Sequence, residues 1–112
     1  MNEIIKNIDL STVYELEALV EYKEGKVISR TLAQGKNLTL TLFSFSKGEE
    51  ISSHSSTGDA MVYLLDGEAA ITIGEEVFNL KKGETIVMPA GIPHALLAKE
   101  DFKMLLVVVF KP

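Results

Sequence analysis

Cysteine is absent from this chain of 112 residues, which excludes disulfides, thiolate metal sites and cysteine nucleophiles. Basic clusters are missing as well. Lys and Arg number 11 against 16 Asp and Glu, and Lys81-Lys82 is the one adjacent basic pair. Phosphate-directed binding leaves a basic footprint, so no nucleic-acid partner is expected. The longest apolar run, Met104 to Phe110, is far shorter than a membrane span, so no membrane partner is expected either. Met1 to Leu10 is too short and too charged for a signal peptide. The formal charge of −5 argues for solubility more than for any partner, and a soluble, cytoplasmic protein is the expectation.

What is present is ordinary for one folded unit. An apolar content of 46% can fill a single core at this length, and 24% charged residues is not a disordered composition. No linker, composition shift or internal repeat divides the chain, so residues 1–112 read as one domain. Only residues 1–25 carry a helical signal. Thr12 and Glu15 have capping-box spacing, and Val13, Leu16, Leu19 and Val20 follow near helical period. The pattern predicts about two turns of helix, ended by Lys23-Glu24-Gly25 and docked on something by its apolar side.

From residue 26 onward the chain reads as strands and turns. Leu38 to Ser44 alternates, with Leu38, Leu40 and Leu42 on one side and Thr39, Thr41 and Phe43 on the other. Further strands are predicted at Val27–Leu32, Ile51–Ser56, Ala60–Leu65, Ala69–Ile73, Val77–Leu80, Thr85–Met88, His94–Ala98 and Phe102–Phe110. Asp66-Gly67 reads as a hairpin turn, Gly74-Glu75 and Lys82-Gly83 as further turns, and Pro89 to Pro93 as a rigid connection. Eight or nine short strands at this spacing mark an antiparallel sandwich or barrel rather than βαβ units. Met104 to Phe110 shows no alternation, so both faces of that strand must be covered.

Two histidines sit inside this pattern. Gly48 is followed after five residues by His54, and Gly67 closes that segment; Gly83, Pro89, Gly91 and His94 form a second spaced set. Together, over 48–67 and 83–98, these residues resemble the two sequence motifs of the cupin family. The resemblance implies an all-β fold: an antiparallel double-stranded β-helix, or RmlC-like jelly-roll barrel, here over 26–112 with the short N-terminal helix before it. It also implies a metal site, because the family holds a divalent metal with two His and a Glu from the first motif and a His from the second. His54 and His94 match two of those positions. Ser56 stands where the second His would be, Ala60 where the Glu would be, and Ala98 at the closing Asn of the second motif.

Strand alternation puts His54 and Ser56 on one face, and Ala60, Val62 and Leu64 on one face. Asp59 would turn inward only if Ser56-Thr57-Gly58 shifted register by one residue, which Gly58 permits. His54, Ser56, Ala60, Val62, His94 and Ala98 are therefore the candidate ligand-binding residues. His54 and His94, with Asp59 as a third, are the candidate metal ligands. Two histidines alone hold a divalent transition metal weakly, so no cofactor is firmly expected. Met61, Met88 and Met104 read as core filler, and the serines at 52, 53, 55 and 56 carry no argument for a nucleophile.

Three functions fit. One is a barrel binding a small molecule, a sugar derivative or an organic acid. Another is a metal-dependent enzyme (dioxygenase, isomerase or lyase) using His54 and His94. The third is an interaction module. The resemblance to small cupins also implies a homodimer, which would cover the second face of the C-terminal strand.

Overall fold

The computed structural model describes residues 4–112, with the remaining residues 1–3 of the N-terminal segment outside it. Among the described residues nine strands follow one another: β1 (Val27–Gln34), β2 (Leu38–Phe45), β3 (Glu50–His54), β4 (Asp59–Asp66), β5 (Glu68–Ile73), β6 (Glu76–Lys81), β7 (Thr85–Met88), β8 (His94–Ala98) and β9 (Phe102–Val109). They form two sheets. One has the order β1-β2-β9-β4-β7, the other β3-β8-β5-β6, and every pairing is antiparallel. This is the jelly-roll sandwich that the motif spacing implied. No helix among the described residues is long and apolar enough to cross a membrane.

The core lies between the sheets, and alternation decides who enters it. On β4, Ala60, Val62 and Leu64 are buried while Asp59, Met61 and Tyr63 face out. On β9, Phe102, Met104 and Val108 are the buried set. Phe45 and Phe102, opposite each other on β2 and β9, stack with ring centroids 4.3 Å apart. The leucine side of β2 faces away from this core. Leu42, with Leu32 and Val20, builds a second cluster on the outer face of the five-stranded sheet, joined by Leu16, Leu19, Leu40 and Leu105. Apolar residues on both sides of β2 and β9 explain why neither face of Met104–Phe110 looks polar.

The N-terminal helix does not form as expected. One 3-10 turn, Leu16–Leu19, stands where two α-helical turns were predicted, and Glu15 rather than Thr12 precedes it without a side-chain cap. Thr12 instead donates its hydroxyl to the Leu10 carbonyl at 3.0 Å. Side chains from the sheet take the carbonyls of this segment. Arg30 donates to Asn7 O (2.9 and 2.6 Å) and to Leu19 O (3.1 Å). Lys103 Nζ donates to Glu17 O (2.8 Å) and Ser44 Oγ to Glu21 O (2.7 Å). Backbone acceptors satisfied in this way no longer require a helical ladder. The result is a strap held flat across the outer face.

Asp66-Gly67 is also not a hairpin. β4 and β5 lie in different sheets, so this turn carries the chain from one layer to the other. Gly67 has φ +81°, and a Cβ there would fall 1.8 Å from the Asp101 carbonyl oxygen. Only glycine fits such a close crossing. Gly74-Glu75, by contrast, closes a true two-residue hairpin between β5 and β6.

Candidate functional site

The site sits at one end of the sandwich, where β3 and β8 pair. Ile51 lies opposite Leu96, and the next pair is His54 opposite His94, so β3 contains one residue more than its partner. That bulge matters for facing. Counting by twos from Ile51 would bring Ser53 to the inner side; the extra residue brings His54 there instead. The two rings meet edge to face, with centroids 4.4 Å apart.

Each ring is anchored by its Nδ1. His54 Nδ1 lies 3.0 Å from Ser52 O, and His94 Nδ1 lies 3.4 Å from Ile92 O. A carbonyl can only accept, so Nδ1 carries the proton in both contacts and Nε2 of the neutral ring keeps its lone pair. His94 is 4% exposed, whereas His54 is exposed at the rim. Burial, and next the neighbouring His54, hold His94 below the ordinary histidine range.

Behind the rings lies a cavity of about 330 Å³, lined by Phe43, Ile51, Ala60, Met88, Leu96, Met104, Leu106 and Val108 together with His54, Ser55, Ser56 and His94. Among the described residues no Asp, Glu, Lys or Arg side chain lines it. The rim is stitched by Gly91 N–H donating to Ser56 O (2.8 Å) and Gly58 N–H donating to Ser56 Oγ (3.1 Å). A larger groove of about 1130 Å³ runs along the N-terminal strap, but its one arginine, Arg30, is already engaged by the Asn7 and Leu19 carbonyls.

Four of the six candidate ligand-binding residues meet at this cavity: His54, Ser56, Ala60 and His94. Val62 and Ala98 do not line it. Both point inward, but they belong to the filled part of the core, Val62 opposite Leu106 and Ala98 opposite Ala69. Asp59 is on the outer face, because the register of β4 runs unshifted through Ala60; its Oδ1 accepts the Ala90 N–H at 2.8 Å. Met88 and Met104 are core residues that also form cavity wall, whereas Met61 lies exposed on the outer face and fills no core. The apolar wall from β2 and β9 was missed from the sequence, although every second residue from Phe102 to Val108 would have identified it once one inward residue was known.

A sequence model of the Cupin domain matches residues 41–110. The chain belongs to the cupin family. Among solved structures it is similar to a conserved Streptococcus pyogenes protein of unknown function, at 50% identity and TM-score 0.96, covering 99% of this chain and 97% of that one. A cupin superfamily protein from Desulfitobacterium hafniense is 34% identical with TM-score 0.91, over 96% and 98% of the two chains. A Cupin 2 conserved barrel domain protein from Leptotrichia buccalis is 46% identical with TM-score 0.84; the match covers 86% of this chain but 47% of that one.

The family's metal set is not reproduced in this cupin. Its donor set stops at two imidazoles, since Ser56 and Ala60 replace a His and a Glu and Asp59 faces the other way. Among the described residues no group of three or more His, Cys, Asp or Glu side chains could hold a metal ion. Two nitrogen donors fall short of the three or four protein ligands of a transition-metal site. The residues present do not fit the group.

Proposed function

We propose that this cupin binds a small molecule in the cavity behind His54 and His94 and does not depend on a firmly held metal. The observation that carries this reading is the pairing of a mostly apolar cavity with two imidazoles on its wall whose Nε2 atoms have no hydrogen-bond partner among the described residues. Apolar walls with a few directed polar groups are the usual form of a small-molecule site. The test is metal analysis of untagged protein together with a thermal-shift screen of metabolites. Stabilisation by a metabolite without stoichiometric metal supports the proposal. Near one equivalent of transition metal, lost in both His54→Ala and His94→Ala, would replace it with the metal-dependent enzyme. The absence of cysteine fits work in the cytoplasm.

The same protein is proposed to act as a homodimer. Met61 and Tyr63 on β4, Val87 on β7 and Val109 on β9 are exposed on the outer face of the five-stranded sheet, beside the strap. A two-fold contact requires a patch that tolerates its own copy, and this face is apolar with the Asp59 carboxylate at its edge, beside Val109. The Leptotrichia relative, matched over 47% of its length, has room in one chain for a second unit of this size. Light scattering at micromolar concentration should give twice the chain mass, with Val87→Glu reducing it to one. A clean monomer for the unaltered protein would end this idea.

A further inference from the structure

We propose that the ligand is a small, largely apolar molecule with a single hydroxyl head, an alcohol or phenol, whose O–H donates to Nε2 of His94. The inference rests on the small-molecule reading above and narrows it.

The cavity walls decide the body of the ligand. Eight of the twelve lining residues are apolar, and they come from both sheets. A sugar entering this space would turn several hydroxyls toward Phe43, Leu106 and Met104 with no partner for them, and each unpaired group costs free energy. At about 330 Å³ the cavity stands at the small end of ligand sites, which suits one ring or a short chain.

The imidazoles decide the head. A carboxylate can only accept hydrogen bonds and needs donors. Among the described residues no Lys or Arg lines the cavity, and both Nδ1–H groups already point at the Ser52 and Ile92 carbonyls; the donors left are the neutral hydroxyls of Ser55 and Ser56, with no cation to offset a buried carboxylate charge. What the rings offer inward is a lone pair. Among the described residues His94 Nε2 has no hydrogen-bond partner, yet no buried polar side-chain atom is left unpaired, so this nitrogen is not sealed in, and the space that His94 lines is the cavity. A hydroxyl is the neutral head that can donate to it. His54 stands exposed at the rim.

The experiment uses phenol, benzoate and glucose as probes at neutral pH, followed by the methyl signals of carbon-13-labelled methionines. Met88 and Met104 report from the cavity wall and Met61 from the outer face of the same sheet. Phenol should move Met88 and Met104 but leave Met61 still, and should bind about tenfold more tightly than benzoate, the value of one well-made hydrogen bond. In the shape-conserving His94→Phe variant that preference should vanish. Benzoate binding as tightly as phenol would overturn the hydroxyl head, and glucose moving the cavity methyls would overturn the apolar body. A response at Met61 alone would place the probe outside the barrel and overturn the assignment. Silence from all three probes, with a metabolite still stabilising the protein in the thermal screen, would overturn this inference and leave the binding reading intact. Silence in both would remove the two together.

Discussion

The two ends of the sandwich are built from the same strands and differ in what those strands place inside. At one end Phe45 stacks on Phe102, and Ala69 faces Ala98 across the second sheet, leaving no room. At the other, Ala60 lies beside Met88 and Val108, with His94 opposite His54, and a cavity remains. Aromatic side chains fill the closed end. An alanine where a longer residue could stand opens the other. A jelly roll thus separates stability from binding along a single strand: β4 contributes Leu64 to the filled core and Ala60 to the cavity wall, four residues apart.

That division can be broken most forcefully at the glycines. Gly67→Val should cost about 3 kcal/mol or more, because φ +81° and the Asp101 backbone both reject a branched side chain. Gly91→Val should cost only about 1 kcal/mol, since φ is similar at +79° but nothing lies within 4 Å of its Cβ. Urea melts compare them, and equal losses would mean that crowding at the layer crossing contributes nothing. Phe102→Ala should follow at about 3 kcal/mol, against about 2 kcal/mol for Met88→Ala, whose neighbours already border a void. If Met88→Ala were the costlier, the cavity end would have to be the tighter one.

The smallest effects belong to the histidines. His94 has a depressed pKa in the fold, so the unfolded chain binds the proton more readily. Its contribution is therefore fully present above the unfolded value near 6.5 and is lost as pH falls through the lower folded value. His94→Leu should flatten that part of the stability profile, while His54→Ala, at an exposed position, should change stability by less than about 0.5 kcal/mol. A pH profile from the unaltered protein that showed no acid-side loss would contradict the buried neutral ring.

Much of this was legible because strands and their turns leave local marks. Thr85–Met88 and His94–Ala98 end where the turn residues around them say they should, and the other strands differ by one or two residues at their ends. The parts that were not legible depend on distant partners. Thr12 and Glu15 carry a helix signal, but the carbonyls of that segment are taken by Arg30, Ser44 and Lys103, which no local window contains. Asp66-Gly67 looks like a hairpin because the turn chemistry is right; which sheet the next strand joins is set by β9 and β8. His54 was placed inward by motif spacing, whereas the bulge that achieves it leaves no mark in Ile51-Ser52-Ser53-His54.

The strap has a consequence for how this chain can vary. Its polar contacts from Arg30, Ser44 and Lys103 all end on main-chain oxygens, of Asn7, Leu19, Glu21 and Glu17. Every amino acid carries that oxygen. Substitution at Glu17 or Glu21 therefore leaves these contacts intact, and what they ask of the sequence falls on Arg30, Ser44 and Lys103 of the sheet.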